Sequence, residues 1–234
     1  MLRILRRIVG KQKFKNKAVL LRAETIEFNC AMDYARLIVQ DTSNKKEQIV
    51  LLEFMLNVVR ADLKVDILST IFYSEENFER VIGFPFPNEY YDEMGTELKL
   101  HPKGETAIKT SVDLANECVL VLSWDRKSMK HGILNVYKYG FTFDKRDHIA
   151  EYYSYVNICY VYNGNHSIAS GIVQKKGVLQ ANKYDVSKLF EHVHTDGVFW
   201  YNSHNNQKLG NVFDFRVSII YEIAKLKHQI EQGE

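Results

Sequence analysis

Hydrophobic positions in the first third of the chain recur every three or four residues, which is the spacing of an amphipathic helix. One run covers residues 17 to about 39, and a second covers residues 49–63. Their apolar positions are Val19, Ala23, Ile26, Cys30, Tyr34 and Leu37, followed by Ile49, Leu52, Leu56, Val59 and Leu63. The sequence DTSNKKE lies between the runs and supplies Ser and Asn, which often cap helices. The pattern predicts a helical hairpin.

Beyond residue 117 short apolar runs alternate with stretches of helical spacing. Strands are predicted at residues 118–124, 155–162 and 177–186, and helices at residues 125–140 and 167–176. The last predicted helix carries five apolar residues on one face, which are Phe215, Ile219, Ile223, Leu226 and Ile230. We therefore predict an α+β fold, in which an N-terminal helical region precedes an α/β domain and a C-terminal helix packs back onto it.

All three prolines lie between these two regions, at Pro85, Pro87 and Pro102. Proline fixes φ and has no amide proton, so a cluster of prolines favours an irregular segment. We predict that residues 1–100 form a helical N-terminal region that ends in this Pro/Gly-rich linker. Residues 101–234 then form the α/β domain with its C-terminal helix.

Composition narrows the class of protein. The 234 residues are 46% hydrophobic and 26% charged, as expected of a folded domain, and the formal net charge is only +2. Three widely spaced cysteines favour a reducing cytoplasm, and no run approaches the ~18 apolar residues of a membrane span. Residues 1–22 contain eight basic residues and no acidic one. This segment could contact nucleic acid, or it could be a solvated tail or a packing helix.

A polar turn follows the second predicted strand of the α/β region. Asn163, Gly164, Asn165, His166 and Ser167 join that strand to a helix. The first amide N–H groups of a helix lack intrahelical partners, and the helix dipole adds partial positive charge there. Glycine allows a positive φ and a close approach of a ligand, while the polar side chains can donate hydrogen bonds to phosphate. The turn therefore predicts an anion site; the alternative is an ordinary Asn-Gly turn with a helix cap.

The segment LVLSWDRKSMKHGILNVYKYG and the segment VNICYVYNGNHSIASGIVQKKGVLQANKYDV together resemble the ParB/sulfiredoxin-like superfamily. In that superfamily a strand and a polar loop lead to a helix, and a second strand runs into Gly-His-His-Arg or Gly-Cys-His-Arg at a helix start. The resemblance covers about residues 118–186, roughly a third of the chain. The chain also looks like an uncharacterised bacterial family of domains of unknown function with a Gly-Asn-His-Ser-Ile signature.

The superfamily resemblance implies a bound nucleotide, ATP or CTP, whose phosphates lie at the helix start. Gly164 then matches the turn glycine, and His166 matches the histidine that faces the phosphate. Asn165 takes the place of a Cys or His. Ser167 replaces the usual Arg, which would grip phosphate with two charged donors. Either Lys175, Lys176 or a basic residue from elsewhere supplies the charge, or the site binds something less anionic.

One further group of residues and two single residues could carry chemistry. His192, His194 and Asp196 alternate, so in an extended chain they share one face and could bind a divalent metal or act as acid and base. The alternative is a polar strand edge. Asp125 could orient a substrate hydroxyl or a metal ion, or it could cap the following helix. His148 is an additional candidate, because its loop leads back toward the strand before Asn163.

These residues predict a cytoplasmic protein that binds a nucleotide or another phosphate ligand. A phosphotransferase or nucleotide-hydrolase activity at the same site is an additional hypothesis. Its catalytic candidates are His166, Asp125, His194 and Asp196. A different class of function is a nucleic-acid-associated regulator or defence component, and a third is a metal-dependent nuclease. The sequence contains no GxxxxGK[ST], HExxH or GxSxG motif. It therefore does not identify a reaction.

Overall fold

The computed structural model describes residues 17–73, 84–102 and 108–233. This part of the chain is a mixed α+β structure with five α-helices and three sheets. The helices are α1 (Lys17–Asp41), α2 (Lys45–Tyr73), α3 (Arg126–Tyr139), α4 (Asn165–Val173) and α5 (Phe215–Gln232). The strands are β1 (Glu89–Tyr91), β2 (Glu97–Lys99), β3 (Ile108–Asp113), β4 (Cys118–Leu120), β5 (Ile149–Ser154), β6 (Ile158–Asn163), β7 (Val178–Asp185), β8 (Val193–Thr195), β9 (Phe199–Asn202) and β10 (Lys208–Asn211).

The predicted helical hairpin is confirmed, and its second helix is longer than the pattern indicated. A loop at residues 42–44 separates α1 from α2, and the side chain of Asn44 accepts the backbone N–H of Lys46 at 2.9 Å. That contact satisfies one of the amide groups that a helix start leaves open. None of the helices in the described ranges is long and apolar enough to cross a membrane.

A five-stranded mixed sheet carries the middle of the chain, in the order β3-β7-β5-β6-β4. β4 is parallel to β6 and β5 is parallel to β7, while the other neighbours are antiparallel. The three predicted strands and two predicted helices of this region are present, with some different bounds. The first strand ends at Leu120, and the second begins at Ile158 because residues 155–157 form a turn. The helix predicted at residues 167–176 covers Asn165–Val173. β3 and β5 were not predicted. The smaller sheets, β1-β2 and β10-β9-β8, were not predicted either.

Apolar side chains pack on both faces of this sheet. On one face, alternate residues of β4 such as Leu120 pack with α1, α2 and α5 in the larger cluster. On the other face, Val119 and Val121 pack with Ile168 and Ala169 of α4. β4 and most of β6 are therefore buried on both sides, which explains their continuous apolar runs in the sequence.

The segment predicted to be a linker contains the β1-β2 hairpin. Phe86, Tyr90 and Leu100 are buried, and they belong to the larger cluster together with residues of α2 and α5. Hydrophobic packing therefore continues across residue 100. The division of the chain into domains at that point stays a prediction. Gly83 and the basic segment at residues 1–16 lie outside the described residues.

A buried arginine joins α5 to α2 within the larger cluster. Arg216 of α5 is 5% exposed, and its guanidinium donates to Asp62 at 2.8 Å, to Asp66 at 2.7 Å and to Asp214 at 2.7 Å. Asp62 and Asp66 lie one turn apart on α2. A buried guanidinium needs such compensation, so this network holds α5 against α2 in one position.

Candidate functional site

Helix α4 starts on a glycine in the left-handed conformation. Gly164 has a φ of +84° and stands at the N-cap position, where no side chain makes a capping hydrogen bond. A Cβ atom at this position would clash with the Cδ2 atom of His148 and lie 3.0 Å from the carbonyl oxygen of Asp147. Both the backbone conformation and the packing therefore require glycine here. Gly164, which the sequence predicts as the turn glycine, therefore stands directly before the first residue of α4.

Two helix starts meet at one end of the five-stranded sheet. β4 and β6 are parallel, with Leu120 opposite Tyr160, so both strands end on the same side, where α3 and α4 begin. Gly132 lets the helices approach closely, because a Cβ atom there would lie 2.8 Å from the carbonyl oxygen of His166. In open α/β sheets, ligands bind in the crevice outside the carboxyl ends of parallel strands.

Asp125 and His166 are brought together at this sheet end, 41 positions apart in sequence. The backbone N–H of Asp125 donates to Nε2 of His166 at 3.3 Å, so the hydrogen of the neutral imidazole is assigned to Nδ1, which can donate. Burial lowers the pKa of His166, and the nearby Asp125 carboxylate opposes that shift. The Asp125 side chain itself accepts the backbone N–H of Ser128 at 2.7 Å. It therefore caps α3, which was the alternative role considered for it.

Ser167 makes hydrogen bonds within the protein. Nε2 of His148 lies 2.9 Å from the Ser167 hydroxyl, which donates to the carbonyl oxygen of Gly164 at 3.0 Å. Nδ1 of His148 accepts the backbone N–H of Asp144 at 3.0 Å, so the ring hydrogen is on Nε2 and is donated to Ser167. In this tautomer His148 cannot take a proton from the serine. The pair is a structural connection and not a nucleophile with its base.

The two asparagines of the turn differ in their surroundings. Asn163 ends β6 and is exposed. Asn165 opens α4, and its side-chain oxygen is buried with no hydrogen-bond partner among the described residues. The hydroxyl oxygen of Ser123 is also buried without a hydrogen-bond partner among the described residues, and Ser123 is 2% exposed. Ser123 is the next alternate residue after Val119 and Val121, which pack with α4 in the smaller cluster. An unpaired buried polar group is costly, so a water molecule or a ligand is expected to supply the missing partner.

The second predicted group lies in a different sheet. His194 is in β8 and stacks on Tyr201, while His192 precedes the strand and makes a 3.0 Å contact with His204. The Asp196 carboxylate accepts the backbone N–H groups of the next turn, at residues 198 and 199. Among the residues that the structure describes, no three His, Cys, Asp or Glu side chains are grouped so that they could hold a metal ion. His192, His194 and Asp196 are not brought together with His166.

Sequence reasoning found His148 only as an additional candidate, and it missed Ser123 and Glu151. His148 reaches α4 because β5 is antiparallel to β6, with Ile149 opposite Asn163. No local pattern near residue 148 reveals that pairing. Ser123 gave no signal, because a serine after an apolar run is typical of a strand end.

Glu151 is the centre of a polar cluster in the larger core. Its Oε2 atom accepts the hydroxyl groups of Tyr153 and Tyr162, each at 2.7 Å, and lies 3.8 Å from Nε2 of His101. The His101 ring packs on Tyr184, with 3.9 Å between ring centroids. Burial lowers the pKa of His101, and Glu151 opposes that shift. The cluster attaches the end of the proline-containing segment to the sheet.

A pocket of about 190 Å³ lies at the opposite end of β4 and β6. Arg60 extends into its wall and donates to the carbonyl oxygen of Val156 at 2.9 Å, to Asn57 at 3.0 Å and to Glu53. Lys64 donates to the carbonyl oxygen of Glu117 at 3.0 Å. The cations of this pocket therefore have partners within the chain. None of the predicted site residues lines it.

Comparison with known proteins gives a family and no activity. A protein-family model described as "Family of unknown function (DUF6710)" matches residues 9–233. Neither the curated proteins nor the solved structures contain a match to the chain.

Proposed function

The chain belongs to DUF6710, a family of unknown function, and we propose from its own geometry that it binds a phosphate-bearing ligand at the start of α4. The observations that carry this proposal are the uncapped helix start at Gly164, after β6, and the unpaired, buried hydroxyl of Ser123, which follows the parallel neighbouring strand β4. A helix start favours an anion through its free N–H groups and its dipole. The buried hydroxyl supplies an additional donor on the sheet side.

His166 is the side chain that would contact the ligand in this proposal. Its Nδ1–H group is free to donate, because Nε2 already accepts the backbone N–H of Asp125. Its half-buried ring lies against the edge of Trp124, with 5.3 Å between ring centroids, so its orientation is held. Ser167 would contribute its backbone N–H and not its hydroxyl, which donates to Gly164.

We further propose that this ligand is a nucleotide, ATP or CTP. The same proposal includes the assignment of the domain to the ParB/sulfiredoxin-like superfamily and the Gly-Asn-His-Ser-Ile signature. The neutral donors described above support a weaker anion site than the arginine of that superfamily would form. Turnover by phosphotransfer or hydrolysis would require Asp125 or His166 to position the attacking group. The carboxylate of Asp125 caps α3, so His166 is the residue that we propose for that role.

Sulfate is a suitable first probe, because its charge does not change near neutral pH. We expect sulfate, inorganic phosphate, ATP and CTP to raise the unfolding temperature of the protein, since a ligand that binds only the folded state stabilises it. His166→Ala should weaken sulfate binding roughly 10- to 100-fold, the range for one hydrogen bond to a charged group. His204→Ala is the matched control, because His204 is an exposed histidine in the turn between β9 and β10.

The pH dependence provides a second measurement of the same contact. Protonated His166 attracts an anion more strongly, so sulfate affinity should rise as the pH falls below about 6.5. His166→Ala should remove that rise, whereas His204→Ala should retain it. If no anion binds, or if both variants bind sulfate as the native protein does, α4 has an ordinary helix start and the proposal is wrong.

The other two functions have less support. A metal-dependent nuclease requires His192, His194 and Asp196 to converge, and the described residues contain no such group. A nucleic-acid-associated regulator would use the basic residues before Lys17, which lie outside the described part of the chain. Both remain predictions, and each has a direct assay in DNA cleavage with Mg²⁺ or Mn²⁺ and in DNA binding.

A further inference from the structure

Helix α2 has a second apolar face, opposite the one that packs into the core. Its buried residues are Leu52, Leu56, Arg60, Leu63, Ile67 and Ile71. The opposite face carries apolar residues at alternating intervals of three and four, which are Leu51, Phe54, Val58, Ala61, Val65, Leu68 and Phe72. Four of these are exactly one heptad apart, at positions 51, 58, 65 and 72. Such a repeat over three heptads is the pattern of a coiled-coil seam.

This seam is exposed in the single chain. Phe54 is 69% exposed, Val58 52%, Val65 58% and Phe72 62%, although Leu68 is partly covered by the smaller core cluster. The face that binds α5 and β4 is on the other side of the helix. No described element therefore explains why the outer face of α2 is apolar at heptad spacing. A solvent-facing helix surface is ordinarily polar.

The exposed area is large enough for a specific interface. A fully exposed aromatic side chain presents about 150–250 Å², so Phe54 and Phe72, which are 69% and 62% exposed, leave roughly 200–330 Å² uncovered. The exposed parts of Leu51, Val58 and Val65 bring the seam to roughly 500 Å². A specific interface buries at least about 1,000 Å² in total, and two copies of this seam reach that value.

We propose that α2 packs against α2 of a second copy of this chain, through the seam from Leu51 to Phe72. The seven-residue spacing requires a helix as the partner, because knobs-into-holes packing needs the same repeat on the facing surface. A second copy supplies that repeat with no further assumption. The positions flanking the seam carry one acid, Asp62, and one base, Lys64, so self-pairing creates no excess of like charge.

Phe54→Glu with Val58→Glu tests the interface directly. We expect the native protein to have the mass of a dimer by light scattering at micromolar concentrations, and the double variant to have the mass of a monomer. Tyr139→Glu with Ile108→Glu is the matched control, because both residues are more than 70% exposed and lie outside α2. The control should remain a dimer. Circular dichroism shows whether each variant retains its helices.

Cross-linking tests the geometry even if the glutamate variant fails to fold. In a Cys30→Ser background, which removes the exposed native cysteine, Ala61→Cys or Val58→Cys should form an intermolecular disulfide under mild oxidation. Tyr139→Cys in the same background should not. A monomeric native protein, or a dimer that survives both glutamates and gives no α2 cross-link, overturns the proposal. A monomer that binds phospholipid vesicles through Phe54 would instead assign the face to a membrane surface.

Discussion

Ser167 has two hydrogen-bond partners that its place in a helix-start motif does not reveal. It accepts from His148 and donates to the carbonyl oxygen of Gly164. In the ParB/sulfiredoxin-like pattern this position would be a phosphate-binding arginine. An arginine here would leave the His148 N–H without its acceptor inside the protein. The serine is therefore explained by the folded structure, whatever the ligand is.

Ser167→Ala should destabilise the protein by about 1–3 kcal/mol, because it leaves the Nε2–H group of the buried His148 unpaired. Urea unfolding monitored by fluorescence measures the effect. Ser111→Ala is the control, since Ser111 is exposed and its partner Gln180 is also accessible to water. The control should lie within about 0.5 kcal/mol of the native protein. Equal effects for the two variants would contradict the proposed hydrogen-bond chain.

Histidine titration should make the protein less stable in mild acid. Burial lowers the pKa values of four histidines, which are His101, His148, His166 and His194. The unfolded chain therefore binds protons more readily than the folded one. The stability is complete above about pH 6.5 and decreases as the pH falls through the lowered pKa values. Burial raises the pKa of Glu222, so its contribution to stability has the opposite pH dependence and increases as the pH falls.

The contribution of His148 to this pH dependence can be measured by comparing a variant with the native protein. His148→Gln retains a donor toward Ser167 but cannot be protonated. Its unfolding free energy should change less than that of the native protein between about pH 7.5 and about pH 5.5. An identical change in both proteins would mean that His148 titrates alike in the folded and unfolded states.

At the scale of the element, α4 depends on how it begins. β6 delivers the chain to Gly164, whose positive φ turns it into the helix. The neighbouring α3 begins at the same sheet end and is capped by Asp125. One helix start is thus closed by a carboxylate and the other carries no side-chain cap. That difference distinguishes a candidate ligand position from an ordinary helix end.

Gly164→Ala should be more destabilising than Gly233→Ala. Both glycines are left-handed, with φ and ψ of +84° and 19° at Gly164 and of +88° and 17° at Gly233, so each alanine incurs about 1–2 kcal/mol of backbone strain. A Cβ atom at Gly233 has only the Nζ atom of Lys45 within 4 Å, at 3.6 Å, whereas at Gly164 it clashes with His148. The difference between the two unfolding free energies therefore measures the packing around Gly164. If they are equal, His148 moves away at no cost.

At the scale of the whole molecule, one apolar cluster joins the helical hairpin, the proline-containing segment, the sheet and α5. Phe86 is 1% exposed, and its ring contacts Tyr153, Trp200 and Tyr221. These partners come from three separate parts of the chain. The segment packs into the core although it contains all three prolines, so the prolines do not by themselves make it a linker.

Phe86→Ala should therefore destabilise the whole protein by about 3–5 kcal/mol, as the loss of a buried aromatic ring does. Phe84→Ala is the matched control, because Phe84 is 50% exposed. Unfolding followed by circular dichroism and by tryptophan fluorescence should give one shared transition for the Phe86 variant. A small effect confined to one transition would support a linker and the division of the chain near residue 100.

The sequence by itself determined the features that depend on neighbouring residues. Helical spacing located α1, α2 and α5, and apolar runs located β4, β6 and β7, because periodic burial leaves a periodic pattern. Asn163 and Gly164 identified the turn, since few residues other than glycine adopt its backbone conformation. The outer heptad of α2 is also present in the sequence, but it has meaning only once the opposite face is known to be the buried one.

The tertiary structure alone decided the features that depend on distant residues. Asp125 meets His166 across 41 positions and His148 meets Ser167 across 19, through strand pairings that no local pattern specifies. Those contacts set the imidazole tautomers and made Ser167 a structural residue. Phe86 likewise became a core residue through partners more than 60 positions away. Periodicity records which side of an element is buried, whereas hydrogen-bond partners follow from how the elements are arranged in space.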